Sequence, residues 1–158
     1  MANIYLMSRI IILCFISSFC FAQNATTPDQ RLFDIVDAVS ADRILDDIQK
    51  LVDFGTRHTL SDTVSETRGI GAARRWIKSE FERISDDCGG CLEVVYHKGL
   101  VEAGESRRIP EPTWIVNVLA IKRGTVHPDR YIIMSGDIDS RVSDPLDGIS
   151  DSPGANDN

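Results

Sequence analysis

The chain has 158 residues, enough for one domain with its own core. Its apolar share of 42% and charged share of 26% are those of a soluble globular protein. A formal net charge of −7 argues against a nucleic-acid partner and against anionic membrane surfaces, and names no substrate.

Residues 1–22 read as a secretory signal peptide. Arg9 supplies the positive charge, and residues 10–21 form an apolar run too short for a comfortable membrane span. Cys20-Phe21-Ala22 puts small residues at the two positions a signal peptidase inspects, so cleavage is expected after Ala22. Residues 23–158 then form the mature part, secreted or periplasmic, with no stable membrane span. The alternatives are an uncleaved anchor, disfavoured by the length of the run, and a lipoprotein at Cys20, disfavoured by the bulky Phe19 before it. The sequon Asn24-Ala25-Thr26 lies beside a leader of bacterial style and is read as chance.

Residues 28–39 are expected to form a loose lead-in or a short helix. Ser40 suits the cap of the next helix. There Ile44, Leu45, Ile48, Leu51 and Val52 recur at helical spacing, and Gly55 is a natural stop. This predicts an amphipathic helix packed on a core. Residues 56–66 are a polar loop whose His58 is read as structural or solvated rather than as a ligand. Residues 69–84 carry the clearest helical pattern. Ile70, Ala73, Ile77, Phe81 and Ile84 form one stripe bordered by Trp76, which suits a helix covering one face of a sheet. Arg74 and Arg75 are read as a solvated face.

Cys14 and Cys20 leave with the leader, and Cys88-Gly89-Gly90-Cys91 remains. In a secreted chain such a pair is expected to form a disulfide. A redox motif would open a helix after a strand, whereas this one follows a helix. A structural zinc site would need two further ligands, and no second cysteine pair exists.

Residues 92–97 are expected to be a strand, with Val94 and Val95 β-branched. A charged loop follows over 99–112, a second strand over 113–121, and a turn over 126–130. His97 and His127 have no carboxylate or cysteine partner nearby in sequence. Tyr131, Ile132, Ile133 and Met134 lack polar alternation, which predicts a third strand buried on both faces. Two helices followed by three strands suggest an α/β sandwich with a mixed sheet.

That third strand runs into Asp137 and Asp139. In open α/β sheets, ligands bind outside the carboxyl ends of strands. Asp157 follows the Pro153-Gly154 turn, which puts a third carboxylate within reach of the same place. Carboxylates brought together need a cation, an Arg or Lys, or raised pKa values. A hard divalent metal is the commonest solution in a cleft. The competing reading is an acidic surface loop, which Asp144, Asp147 and Asp151 would fit. An EF-hand calcium loop fails, because Arg141 takes the third ligand position and no glycine follows it.

The paired motifs Ser-Gly-Asp-Ile-Asp-Ser-Arg (135–141) and Pro-Gly-Ala-Asn-Asp-Asn (153–158) resemble signatures of the secreted di-zinc aminopeptidases related to glutamate carboxypeptidase. The stretch 51–58, with its Phe-Gly-x-Arg turn, the helix after Gly69 and the Asn117-Val118 strand fit the same family. The resemblance implies a three-layer α/β/α sandwich with a mixed sheet, incomplete in this chain. It implies Asp137 and Asp157 as metal ligands, Asp157 bridging two metals. It implies Asp139 as the catalytic-site carboxylate that orients the first ligand. Asp137 stands where the family has histidine; its carboxylate is harder than imidazole, which would shift preference from zinc toward manganese, cobalt or another oxygen-tolerant ion. The family's general-base Glu, a neighbouring Glu ligand, a further Asp or Glu and a last His would follow Asn158. The chain is therefore expected to be the N-terminal part of the catalytic domain, inactive by itself.

The implied cofactors are two divalent metal ions, zinc first. The implied reaction is hydrolysis by a metal-activated water at a peptide with a free N-terminus. The alternative is a non-catalytic, metal- or partner-binding secreted domain stapled by Cys88–Cys91.

Overall fold

The computed structural model describes residues 29–154. The signal-peptide reading and Asp157 lie outside them. The chain divides into two units, residues 1–40 and 41–158. In the first, helix α1 (Gln30–Asp37) is capped by Asp29, whose carboxylate accepts from the Arg31 N–H at 3.0 Å. The lead-in is thus a short helix.

In the second unit, α2 spans Ala41–Asp53 and α3 spans Gly69–Asp87. Strands β1 (Glu93–Val101) and β2 (Thr113–Ile121) pair antiparallel, from Glu93↔Ile121 to Val101↔Thr113. The expected strand at 92–97 therefore continues to Val101. Lys98-Gly99 reads locally as a turn, but cross-strand pairing with Val116 and Ile115 carries the ladder through it. Helix α3 packs on both strands. No helix among the described residues is long and apolar enough to cross a membrane.

The core sits where the end of α2 meets the first half of α3. Phe54, Ala72 and Ala73 are buried together, with Trp76 against them. The Phe54 and Trp76 rings are tilted at 6.1 Å between centroids. Helix α2 itself buries no residue fully, and Ile44 and Leu45 are exposed. Gly55 ends α2 at φ +71°, a conformation that favours glycine. The α3 stripe is deepest at Ile70 and Ala73 and fades to an exposed Ile84.

The loop 56–68 is drawn close to α3 at Gly71. A Cβ there would lie 2.2 Å from the Thr63 carbonyl oxygen and 2.5 Å from its Cα, both backbone atoms that cannot swing aside. Gly71→Ala is therefore expected to destabilise the fold by about 1–3 kcal/mol, read as a lower urea midpoint. An unchanged midpoint would mean the loop sits elsewhere.

Cys88 and Cys91 form the expected disulfide, with Cα atoms 5.5 Å apart. The expected strand at 131–134 is not formed. These residues pair with no strand among the described residues and are 79–96% exposed. The cause is the missing ladder. Among the described residues the sheet has only β1 and β2, and an apolar run becomes a strand only where an edge satisfies its N–H and C=O groups.

Candidate metal centre

The residue that organises this end of the molecule is Arg57. It is 1% exposed, although its loop is otherwise polar. Its Nε donates to the Ile138 carbonyl at 2.8 Å. Nη1 donates to the carbonyls of Leu51 at 2.8 Å and Pro153 at 3.0 Å, and Nη2 to Gly154 at 2.5 Å. One guanidinium thus holds the end of α2 and both motif segments. The planar fork of five N–H donors allows this; an ammonium could not reach acceptors spread so widely.

Hydroxyls complete the junction. The Arg57 backbone N–H donates to Ser140 Oγ at 3.0 Å. Ser152 Oγ lies 3.2 Å from Ser140 Oγ and 3.1 Å from Thr56 Oγ1. The Ser152 N–H donates to the Gly55 carbonyl at 2.9 Å. Thr56, Ser140 and Ser152 are all buried, so their mutual bonds satisfy groups that water does not reach. Neither serine stands out in the sequence, although Ser140 lies inside the first motif segment and Ser152 directly before the second.

Asp137 is exposed and Asp139 half-buried. Asp139 is met by positive charge. Burial pushes the Arg57 guanidinium down from its ordinary pKa, and the Asp139 carboxylate offsets part of that. Burial pushes Arg74 down as well, with Tyr96 and then Asp139 opposing. The two arginines therefore supply some of the counter-charge that a carboxylate pair requires. Among the described residues no three His, Cys, Asp or Glu side chains converge on one point. A zinc site takes three or four protein donors. Asp137 and Asp139 fit part of such a site, and the described residues do not complete it.

Arg74 corrects the sequence reading. It was expected on a solvated face and is 8% exposed. Arg75 is half-buried and donates to the carbonyls of Thr63, Val64 and Ser65, fastening the loop to α3. Hydropathy cannot register burial of this kind; at Arg75 loop carbonyls compensate it. His58 is buried and structural, as expected: its Nδ1 accepts from the Leu60 N–H at 3.1 Å.

The segment leading to Ser152 is folded by its own aspartates. Asp144 Oδ1 accepts from the Leu146 N–H, and Asp147 Oδ1 from those of Ile149 and Ser150, each at 2.9 Å. Arg68 then bonds the Ile149 carbonyl and the Asp151 carboxylate, both at 2.7 Å. Hydrogen bonds from the Ser150 side chain and from the Ser150 and Ile149 backbone hold the Asp147 carboxyl at about 2, below its ordinary 3.8. A depressed carboxylate stabilises the folded state fully above its unfolded pKa, and that stabilisation is lost as pH falls through the folded value. The turn is therefore expected to loosen between about pH 4 and pH 2. Carboxyl-carbon NMR should place the Asp147 midpoint near the lower end; a midpoint near 4 would mean the turn is not formed.

No protein-family model matches the chain, and no solved structure matches it. Curated fungal proteins do. A probable zinc metalloprotease of Pyrenophora teres f. teres is 49% identical over 82% of this chain and 26% of its own length. One of Leptosphaeria maculans is 46% identical over 82% of the chain and 30% of its own length. One of Pyricularia oryzae is 45% identical over 85% of the chain and 26% of its own length. The chain thus spans between 26% and 30% of the relatives it matches. Over that span the chain is similar to proteins named probable zinc metalloproteases.

Proposed function

We propose that this chain builds one wall of the active centre of a secreted, zinc-dependent exopeptidase. The observation that carries the reading is the Arg57 clamp. It joins Ile138, beside Asp137 and Asp139, to Pro153 and Gly154, three residues before Asp157. The names of the fungal relatives support zinc and peptide hydrolysis. The signal-peptide reading and the Cys88–Cys91 disulfide support an oxidising compartment outside the cytoplasm.

In this reading Asp137 and Asp157 hold two divalent ions, zinc first. When bound, zinc acidifies a water and polarises the scissile carbonyl. Asp137 is exposed and makes no hydrogen bond or ion pair among the described residues, so its carboxylate is free to accept a cation. Asp139, with the Arg57 and Arg74 guanidinium groups acting on it, orients the Asp137 side of the site. Arg57 holds both segments at a fixed separation, so the carboxylates need little rearrangement to bind. The substrate is a peptide with a free N-terminus. The exposed run at 131–134 becomes an inner strand of a three-layer α/β/α sandwich in the whole protein.

The test is hydrolysis of leucine p-nitroanilide by the protein expressed from its own reading frame. The expected result is turnover that a chelator abolishes and zinc restores, with an N-acetylated substrate inert. Turnover that survives the chelator would sink the proposal. A second reading, a non-catalytic metal- or partner-binding domain, is favoured by the aspartate at 137 and by the arginines around Asp139. Stoichiometric zinc binding without turnover would select it.

A further inference from the structure

A second site lies away from the Asp137 segment. Between α3, the loop 59–63 and the β1–β2 hairpin is an open groove of about 970 Å³. Arg74, Arg75, Lys98 and Glu111 bring charge to it, and Tyr96 and Trp114 bring aromatic surface.

Arg74 is the unusual member. It is 8% exposed. The buried Nε of Arg74 and that of Arg75 both lack a hydrogen-bond partner among the described residues, but the Arg75 Nη atoms are bonded to loop carbonyls and no side-chain hydrogen bond holds Arg74. It has no carboxylate within ion-pair distance among the described residues. The Tyr96 phenol oxygen and Asp139 act on it only at a distance. The contrast with Arg57 is direct. Both are buried arginines of one small domain, and one has carbonyls around its whole fork while the other has none. A buried donor left unpaired is expensive, so an acceptor is expected to arrive from outside.

The rest of the groove says what kind. The Arg75 charge is already occupied by the loop carbonyls 63–65 and by Glu66 at 3.7 Å. Lys98 is exposed, with its Nζ 5.8 Å from the Tyr96 ring. Setting Glu111 against Arg74 and Lys98 leaves one net positive charge, which matches one carboxylate better than a dianionic phosphate. Pro110, Pro112 and the half-exposed Trp114 offer flat apolar walls suited to peptide backbone and aliphatic side chains.

We propose that this groove binds a peptide through a single carboxylate, received by the Arg74 guanidinium in a charge-assisted, fork-shaped pair with Lys98 beside it. The site does not depend on metal or on turnover.

The test uses acetyl-Ala-Pro-Ala with a free C-terminal carboxylate, and the same peptide as its C-terminal amide. Both lack a free amine, so neither is a substrate for the proposed exopeptidase. Titration calorimetry gives affinities, and side-chain ¹⁵N spectra follow the Arg74 Nε–H. The acid is expected to bind at least about tenfold tighter than the amide and to shift the Arg74 resonance. Arg74→Gln should remove that preference. Lys98→Gln, a change at an exposed position, should weaken the acid severalfold without touching the fold. Equal binding of acid and amide would overturn the proposal. So would no binding of either, tighter binding of inorganic phosphate than of the acid peptide, or a Lys98→Gln protein that binds as before with the Arg74 signal unmoved.

Discussion

Arg57→Ala is expected to destabilise the second unit by about 3–5 kcal/mol, the largest effect of any single side-chain truncation here. The guanidinium makes four hydrogen bonds to main-chain carbonyls. Truncation leaves those carbonyls without donors in a junction that is largely closed to water, and each such loss costs about 1–3 kcal/mol before relaxation. Water entering the void will recover part of it, which is why the expected total lies below the sum. Arg57→Lys should recover less than half. It keeps the charge near Asp139 but offers three donors at one point to acceptors that lie around a fork. Denaturant unfolding measures both. A loss below about 1 kcal/mol for the alanine variant would mean the clamp is dispensable.

Asp157→Ala is expected to abolish peptide hydrolysis in the whole protein through loss of metal. Asp157 is the ligand proposed to bridge both ions, and a ligand to one ion alone does not replace a bridge. The drop should exceed the roughly 10- to 100-fold cost of losing a residue that merely supports a ligand. Zinc content per chain should fall with activity. Asp157→Asn is the sharper variant, because it keeps the shape and removes the charge that two adjacent cations require. An Asp157→Ala protein that is active with full metal content would defeat the assignment.

The parts of the fold legible from sequence are those held by local pattern. Helix α3 follows from the spacing of Ile70, Ala73 and Ile77, and β2 from the apolar, β-branched run after Thr113. The disulfide follows from the pairing of the last two cysteines in a chain read as secreted. Arg57 was part of a matched motif, but its role was invisible. Three of its four acceptors lie 81, 96 and 97 positions away, and nothing local distinguishes a clamped arginine from a solvated one. The same holds for Arg74, whose neighbour Arg75 differs in surroundings but not in kind. The strand expected at 131–134 and not formed here has the opposite origin. Its composition suits a strand, yet strand formation is decided by a pairing edge elsewhere in the chain, and among the described residues β1 and β2 pair only with each other. At the candidate site, the sequence pointed to Asp137 and Asp139 as carboxylates in need of compensation. That arginines supply part of it could be seen only once Arg57 and Arg74 were placed.

The central claim is that the segments pinned by Arg57 carry zinc, and zinc-edge X-ray absorption on the metal-loaded protein tests it most directly. The account predicts a first shell of oxygen and nitrogen at about 2.0–2.2 Å, with no sulfur near 2.3 Å, and a loss of bound zinc in Asp137→Ala. A sulfur shell would put the metal on Cys88 and Cys91 instead, and unaltered zinc in Asp137→Ala would remove Asp137 from the site; either result contradicts the account.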